Sequence, residues 1–94
     1  MKLSIVSTLY GSAAYINEFY ERSLLVAREL VGEDFEIIFV NDGSPDNSLE
    51  IGLSLMEQDE KIKIIDLSRN FGHHKAMMLG LEHAQGKKIF LIDI

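Results

Sequence analysis

One uninterrupted apolar block, Ile37–Val40, constrains the fold of this chain more than any other stretch. Four consecutive β-branched and aromatic residues are typical of a strand that is buried on both faces of a parallel sheet. The block stops at Asn41, Asp42 and Gly43, which are therefore expected at the carboxyl end of that strand, where open α/β sheets bind their ligands. The Asp42 carboxylate can accept a hydrogen bond from a base N–H or a sugar hydroxyl, while Gly43 permits a close turn. A plainer interpretation stays open at this point, in which Asp42 and Gly43 form only a turn and Asp46 only caps a helix.

Short apolar runs alternate along the chain with segments in which apolar residues recur every three or four positions. The runs predict strands, and the periodic segments predict helices laid on a sheet. In chain order the predicted elements are a strand over 3–8, a helix over 13–31 capped by Ser12 and ended by a left-handed Gly32, a strand over 37–40, a helix from Asp46 or Asn47 to about 57, a strand over 62–67, a helix over 73–84 and a strand over 89–92. Short links between such elements imply right-handed crossovers and one parallel sheet.

Each predicted helix has a stripe of apolar residues that we expect to face the sheet. The first stripe consists of Ile16, Phe19, Tyr20, Leu24, Ala27, Leu30 and Val31. The second consists of Leu49, Leu53 and Met56. The third consists of Ala76, Met77, Gly80, Leu81 and Ala84.

The size and charge of the chain limit the classes of function open to it. Ninety-four residues make one domain at most, and a net charge of −6 argues against general affinity for nucleic acid or anionic lipid. Cysteine is absent, which excludes disulfides and thiolate metal sites and agrees with a reducing compartment. No signal peptide is apparent, and no stretch approaches the roughly 20 apolar residues of a membrane span. We therefore expect a cytoplasmic location, with any contact of the parent protein at the cytoplasmic face of a membrane arising outside this segment.

The last predicted strand, Ile89–Ile92, is as apolar as a strand in the middle of a sheet. No segment that could cover it follows in this sequence. We therefore expect residues 1–94 to be the amino-terminal half of a larger domain, truncated after the fourth strand. We also expect the uncovered strand to pair with a second copy of the fragment, because an unpaired apolar edge invites association.

Polar or turn-forming residues follow all four predicted strands. They are Thr8 and Tyr10 after the first, Asp42 after the second, Arg69 and Asn70 after the third, and Asp93 after the fourth. The carboxyl ends of parallel strands meet at one edge of the sheet, so these residues are expected to converge on one crevice. The sequence around the end of the first strand, STLYGSA, has neither the glycine pattern of dinucleotide-binding proteins nor the lysine of a P-loop. This argues against a dehydrogenase or an ATPase.

Four motifs in this order carry a resemblance to a known family. They are TLY at 8–10, VNDGSPDNS at 40–48, LSRNFGHHKAMMLGLEHAQG at 67–86 and FLID at 90–93. Together they resemble the amino-terminal, nucleotide-binding half of family 2 glycosyltransferases with the GT-A fold, and they are most similar to the dolichol-phosphate-mannose-synthase-like branch. The resemblance implies an α/β fold, a parallel Rossmann-like three-layer sandwich with strand order 3-2-1-4.

The resemblance also implies roles for individual residues. Six residues match positions that bind the nucleotide: Thr8, Leu9, Tyr10, Asp42, Lys75 and Asp93. The Tyr10 ring would offer a stacking face to the base, and Asp42 would accept a hydrogen bond from it. Asp93 matches the first acid of the Asp-x-Asp motif that positions Mg²⁺ or Mn²⁺ on the diphosphate. Lys75 is either a cation beside the phosphates or a solvated helix residue, and no catalytic residue is expected in this segment.

The sequence departs from the pattern of the family in two places, at residues 11–12 and at residue 41. Gly11 and Ser12 stand where many relatives have Asn-Glu after the tyrosine, and Asn41 stands where a second Asp is common. The adjacent His73 and His74 are unsuited to share one metal ion, because neighbouring helix residues point about 100° apart. We interpret them as helix-start residues that contact the loop or solvent.

These inferences favour one function and leave two alternatives. The favoured function is that of a glycosyltransferase whose parent protein moves a hexose from a nucleoside diphosphate sugar to an acceptor such as a polyprenyl phosphate, with metal assistance, in cell wall or polysaccharide biosynthesis. Nucleic acid is not expected as a partner, and the 94 residues alone should be inactive. The first alternative is a non-catalytic α/β module that binds a nucleotide or a partner. The second is a nucleotidyltransferase, which normally opens with a glycine-rich basic loop that STLYGSA lacks.

Overall fold

Four strands and three helices alternate along the computed structural model, which describes all 94 residues. The elements are β1 (Leu3–Leu9), α1 (Ile16–Val31), β2 (Phe35–Asn41), α2 (Ser48–Gln58), β3 (Ile62–Asp66), α3 (His73–His83) and β4 (Lys88–Leu91). The strands form one parallel sheet in the order β3-β2-β1-β4. The predicted element order, the parallel sheet and the strand order are therefore confirmed. None of the helices is both long enough and apolar enough to cross a membrane.

The two central strands, β1 and β2, pair along their whole length. Leu3 lies opposite Phe35 at one end, and Leu9 lies opposite Asn41 at the other. Every residue of both strands is buried. The Ile37–Val40 block thus lies in the middle of a sheet covered on both faces, as its unbroken apolar character predicts.

The sheet separates two apolar layers. The layer between the sheet and helices α1 and α2 contains Leu3, Ile5, Leu9, Ile16, Ala27, Phe35, Ile37, Phe39, Leu55 and Ile62. The layer between the sheet and helix α3 contains Val6, Ile38, Val40 and Ala76. Successive strand residues point to opposite faces, which explains why neighbours such as Ile37 and Ile38 belong to different layers. The result is a three-layer sandwich.

Gly80 lets α3 approach the sheet closely. A Cβ atom at this position would overlap Val6 Cγ1 and would lie 3.0 Å from Val40 Cγ2. Because valine side chains are stiff, α3 could not keep this distance with a larger residue at position 80. The contact holds α3 over β1 and β2, and it places His73, the first residue of the helix, at the carboxyl edge of these strands.

Helix α1 begins at Ile16, later than the predicted start at residue 13. Tyr15 precedes the helix without a side-chain cap, and Ser12 Oγ instead accepts the Tyr10 N–H at 3.1 Å. The prediction of a Ser12 cap is therefore wrong, because this hydroxyl serves the loop after β1. Gly32 has the expected positive φ of 69°, but its ψ of −131° lies outside the left-handed helical region.

The buried stripes of two helices also differ from the prediction. The buried residues of α2 are Ser48, Gly52 and Leu55. Leu53 and Met56, which were predicted to be buried, are each 38% exposed. The face with Gly52 packs on the sheet instead, since a residue without a side chain brings the helix backbone against Ile64. In α1, Leu30 is 58% exposed rather than buried.

Strand β4 forms one edge of the sheet and carries exposed apolar side chains. Phe90 is 37% exposed and Leu91 is 50% exposed. Val26 and Leu30 of α1, which line grooves shared with Phe90, are exposed as well. These residues form an apolar surface patch along α1 and β4.

Candidate functional site

A cavity of about 310 Å³ opens at the carboxyl edge of the sheet. The residues that line it lie at the end of a strand or in the segment after it, and all four strands contribute. They are Thr8, Tyr10, Ser12, Asp42, Asn70, Gly72, His73, Asp93 and Ile94. Thr8, Tyr10, Asp42 and Asp93 are among the residues that the sequence predicted at this edge. The structure therefore gathers residues that are far apart in the sequence at one site.

Asp42 is held firmly at the end of β2 and is only 3% exposed. Its Oδ1 accepts the backbone N–H of Phe71 at 2.8 Å, and its own N–H donates to the Leu9 carbonyl at 3.1 Å. The other carboxylate oxygen, Oδ2, has no partner within the protein. A fixed carboxylate with one free oxygen can accept a hydrogen bond from an N–H or O–H of a ligand.

Gly43 brings two loops at the cavity into backbone contact. Its φ is +63°, and a Cβ atom at this position would overlap the backbone N of Asn70 and lie 2.6 Å from the carbonyl carbon of Arg69. The turn after β2 and the loop after β3 can therefore meet only because residue 43 has no side chain. This contact places Asn70 and Gly72 in the cavity wall next to Asp42.

Backbone amides of the loop after β1 donate to side chains that follow β2. The pairs are Gly11 to Ser44 Oγ at 2.9 Å, Ser12 to Ser48 Oγ at 3.1 Å and Ala13 to Asp46 Oδ2 at 3.1 Å. Three consecutive amides are thus tied to one neighbouring segment. This arrangement fixes the loop that carries Tyr10.

Asp46 is the centre of that network. Its Oδ1 accepts the hydroxyls of Ser44 and Ser48 and also the backbone N–H of Ser48. These hydrogen bonds, the one from Ser44 first, hold the pKa of Asp46 well below its ordinary value of 3.8. Asp46 therefore connects two segments, because Oδ1 accepts the N–H of Ser48 at the start of α2 and Oδ2 accepts the N–H of Ala13 in the loop after β1.

Tyr10 stands at the mouth of the cavity and is 54% exposed. Its side chain makes no hydrogen bond, whereas its backbone N–H donates to Ser12 Oγ at 3.1 Å and its carbonyl accepts the same hydroxyl at 3.3 Å. An anchored backbone with a free aromatic ring is suited to stacking on a planar ligand.

His73 is a cavity residue that the sequence interpretation missed. Its Nδ1 lies 3.0 Å from the hydroxyl of Thr8, which is 6% exposed. His73 starts the helix and is exposed to solvent as predicted, but it also contacts Thr8, a strand residue far away in the sequence, which the interpretation did not include. The one available signal was its position as the first residue of a helix whose start lies at the ligand-binding edge. His74 makes no side-chain hydrogen bond or ion pair with the protein.

Two of the six predicted nucleotide-binding side chains lie outside the cavity. Leu9 is fully buried in the layer under α1 and α2, and only its carbonyl reaches toward the site, as acceptor for Asp42 N–H. Lys75 lies along an apolar groove with Leu67, Phe71, Met78 and Leu79. Lys75 follows His73 by two positions, and residues two positions apart lie on different faces of an α-helix.

Asp93, which the family resemblance predicts as a metal ligand, lines the cavity. No group of three or more His, Cys, Asp or Glu side chains is arranged to hold an ion anywhere in the 94 residues. Mg²⁺ is nevertheless commonly bound by one or two carboxylates, with water and substrate phosphates supplying the other ligands. An exposed carboxylate in the wall of a cavity fits that mode of binding. Asp93 is thus compatible with the predicted cation.

Comparison with known proteins identifies related sequences. The family model described as Glycosyl transferase family 2 matches residues 4–93. A protein of Mycobacterium tuberculosis (strain CDC 1551 / Oshkosh) named as a glycosyltransferase is 55% identical over 93 residues, which is 99% of this chain and 27% of that protein. The undecaprenyl-phosphate 4-deoxy-4-formamido-L-arabinose transferase of Shewanella sediminis (strain HAW-EB3) is 37% identical over 92 residues, which is 97% of this chain and 28% of that protein. The chain thus spans little more than a quarter of the length of these relatives.

Solved structures share the fold. The crystal structure of S. aureus TarS 1-349 in complex with UDP-GlcNAc has a TM-score of 0.82 and 28% identity, covering 99% of this chain and 26% of that one. The mannosyltransferase PcManGT from Pyrobaculum calidifontis in complex with GDP-Man and Mn²⁺ has a TM-score of 0.84 and 17% identity, covering 98% of this chain and 27% of that one. The second likeness concerns the fold alone.

Proposed function

The chain belongs to glycosyl transferase family 2, and we propose that the protein containing it transfers a sugar from a nucleoside diphosphate sugar to an acceptor. In this proposal the 94 residues form the donor-binding part of the domain. The observation that carries the proposal is the convergence of Tyr10, Asp42 and Asp93 on one cavity at the carboxyl edge of the sheet.

In this proposal the cavity contacts the base and the diphosphate of the donor through different residues. The Tyr10 ring stacks on the base, and the free Oδ2 of Asp42 accepts a hydrogen bond from a base N–H. Uracil and guanine both carry such an N–H beside a carbonyl, so the acceptor suits either base. The TarS structure with UDP-GlcNAc supports a uridine nucleotide. Asp93 faces the diphosphate.

The proposal includes Mg²⁺ or Mn²⁺ held by Asp93. When bound, the cation offsets the negative charge that builds up on the diphosphate as it leaves. The exposed Asp93 carboxylate supports this role, since it is the type of ligand that both ions prefer. Nucleotide-binding roles for Leu9 and Lys75 remain predictions, because their side chains lie away from the cavity.

A polyprenyl phosphate is the proposed acceptor, and a hexose the proposed sugar. The relative named as an undecaprenyl-phosphate transferase supports this choice, at 37% identity. Such an acceptor would place the protein at the cytoplasmic face of a membrane, in cell wall or polysaccharide biosynthesis. A protein of this kind would belong to the dolichol-phosphate-mannose-synthase-like branch.

Calorimetric titration of the full-length protein with UDP- and GDP-sugars, with and without Mn²⁺, tests the donor site. We expect binding of one of the two nucleotide classes, strengthened by Mn²⁺. Replacement of Asp93 by Ala should abolish the effect of Mn²⁺ while leaving binding of the free nucleoside intact. Asp34→Ala is the matched control, because Asp34 is an exposed acid whose side chain makes no hydrogen bond or ion pair.

Failure of both nucleotide classes to bind would overturn the proposal. Nucleotide binding without any effect of Mn²⁺ and without sugar transfer would favour the non-catalytic α/β module instead. Transfer of a nucleotidyl group rather than a sugar would identify a nucleotidyltransferase.

We also propose that the isolated 94 residues are inactive and associate through β4. The exposed apolar surface patch along α1 and β4 supports this association. Sedimentation should show a dimer that dissociates on dilution, and Leu91→Lys should weaken it. A monomer at every concentration would contradict the association, and sugar transfer by the purified fragment would contradict the inactivity.

A further inference from the structure

Thr8 and His73 form a side-chain pair in the wall of the cavity. The distance between Thr8 Oγ1 and His73 Nδ1 is 3.0 Å, and this is the only hydrogen bond that the Thr8 side chain makes. Thr8 is 6% exposed, whereas the His73 ring is exposed and lines the cavity. The pair therefore links a buried strand residue to a side chain that a ligand can reach.

The chemistry of this pair determines what His73 offers to a ligand. The Thr8 hydroxyl is nearly buried, so its hydrogen needs an acceptor, and Nδ1 is the only acceptor that the protein supplies to it. If Nδ1 accepts the Thr8 hydroxyl, the single ring hydrogen of a neutral His73 is on Nε2. A doubly protonated His73 also carries a hydrogen on Nε2. The Nε2 atom has no partner within the protein. His73 thus presents an N–H donor to the cavity.

The surroundings of His73 favour an oxygen acceptor in the ligand. His73 is the first residue of α3, and the first turn of this helix contains no acidic residue. Backbone N–H groups at a helix start are free of helical partners and attract negatively charged oxygens. The preceding loop is fixed by the hydrogen bond from Gly72 N–H to Asn70 Oδ1 at 2.8 Å, and α3 itself is held by its close contact at Gly80.

We propose that His73 binds the donor nucleotide by donating its Nε2–H to a nucleotide oxygen, and that Thr8 acts by orienting this ring rather than by touching the nucleotide. The acceptor is an oxygen of a nucleoside diphosphate, on either the phosphates or the base. The inference rests on the proposed donor-binding function, and it changes the role that the family resemblance implies for Thr8.

The neighbouring His74 supplies a matched control. It is exposed, it makes no side-chain hydrogen bond, and it does not line the cavity. Replacement of His74 removes the same ring from the same turn of the helix without affecting the pair. His73→Gln is a second useful variant, because a glutamine amide keeps an N–H donor the same number of bonds from the backbone but lacks the ring nitrogen that Thr8 contacts.

Calorimetric titration of the full-length protein with uridine, UDP, guanosine and GDP tests the proposal. For the nucleotide that the wild type binds, we expect His73→Ala to weaken affinity about tenfold, as for one lost hydrogen bond to a charged group. His73→Gln should recover part of this loss, and His74→Ala should change nothing. Thr8→Val should weaken binding severalfold, whereas Thr8→Ser, which keeps the hydroxyl, should bind like the wild type.

The double variant Thr8→Val/His73→Ala separates positioning from direct contact. If Thr8 acts through His73, the double variant binds no more weakly than His73→Ala alone. Long-range ¹H–¹⁵N spectra of the imidazole give a second readout, in which the wild type shows hydrogen on Nε2 and Thr8→Val shows a mixture of tautomers. A merely structural Thr8 would leave the tautomer unchanged.

Each result has a defined meaning. If His73→Ala weakens binding of UDP or GDP but not of the nucleoside, the proposal is supported and the acceptor is on the phosphates. If His73→Ala also weakens binding of the nucleoside, the proposal is supported and the acceptor is on the base. Equal affinity of His73→Ala and the wild type overturns the proposal, and additive losses in the double variant overturn the positioning role of Thr8. A wild type that binds none of the nucleotides rejects the donor-binding function itself, and this inference with it.

Discussion

The Asp42 carboxylate accepts the backbone N–H of Phe71 at 2.8 Å and so joins the end of β2 to the loop that precedes α3. The same side chain is the proposed acceptor for the base of the donor. One oxygen therefore stabilises the cavity wall while the other remains free for the ligand. Substitutions can separate these two roles.

Asp42→Asn should impair binding much more than folding. The amide oxygen of asparagine can still accept the Phe71 N–H, so the free energy of unfolding should fall by no more than about 1 kcal/mol. The amide nitrogen would meet the base N–H donor with another donor, and nucleotide affinity should fall at least about tenfold. Asp42→Ala loses both acceptors and should also reduce stability by about 1–3 kcal/mol. Urea unfolding and calorimetric titration measure the two effects, and equal losses of binding and stability in Asp42→Asn would contradict the separation.

Gly43→Ala should destabilise the protein more than Gly11→Ala. Both glycines have φ near +63°, so an alanine at either site carries left-handed backbone strain of about 1–2 kcal/mol. Only at position 43 would the new Cβ also overlap backbone atoms of Arg69 and Asn70, which adds about 1–3 kcal/mol. Urea unfolding of the two variants measures the difference. Equal losses would show that the two loops can separate without cost.

Glu36→Gln should remove part of the pH dependence of stability in acid. Glu36 is fully buried, and burial alone would raise its pKa, but hydrogen bonds from Lys63, Ser4 and the Gln85 N–H together lower the pKa below its ordinary value of 4.5. The carboxylate therefore stabilises the fold fully above pH 4.5, and this contribution is lost as the pH falls through the lower folded-state pKa. At pH 7 the variant should lose about 1–3 kcal/mol of unfolding free energy.

Glu33→Gln is the control for this experiment. The pKa of Glu33 is also lowered, chiefly by the hydrogen bond from Arg28, but its side chain is 60% exposed. Exposed ion pairs contribute little to stability, so this variant should unfold at nearly the same urea concentration as the wild type. Unfolding curves between pH 3 and 7 compare the two. A larger effect of Glu33→Gln would contradict the role assigned to Glu36.

Tyr20→Phe should make the stability of the protein depend less on pH in the alkaline range. Burial and the hydrogen bond from the Tyr20 hydroxyl to Asp59 at 2.7 Å raise the pKa of Tyr20 from 10.0 to about 12. The folded state thus favours the neutral phenol. Its contribution to the free energy of unfolding is fully present below pH 10 and is lost between pH 10 and 12. Thermal melts across this range measure the slope. Tyr15→Phe, at an exposed tyrosine without a hydrogen bond, should leave the slope unchanged.

The order of the elements and the edge at which the site lies could be predicted because both follow from local patterns. The Ile37–Val40 block indicates a strand covered on both faces, and parallel strands end at one edge. Asp42 and Asp93 could therefore be placed together from the sequence, and they line one cavity in the structure.

Contacts between distant segments could not be predicted in the same way. Helix α2 buries the face on which Gly52 fits against Ile64. The prediction from apolar character alone chose another face, with Leu53 and Met56, which is partly exposed. The pairing of Thr8 with His73 depends on how closely α3 lies over the sheet. That distance is fixed by residue volumes across two elements, which no single stretch of sequence contains.

The place of β1 in the sheet also has a consequence for how the protein is made. Leu3 is synthesised well before Lys88, yet it pairs with both Phe35 and Lys88. One side of β1 therefore stays unpaired until β4 has been synthesised. Pairing across such long intervals is slow, because the chain must close a large loop before the contact forms. During translation the nascent β1 edge is therefore a natural target for chaperones, and slower elongation before residue 88 would prolong that exposure.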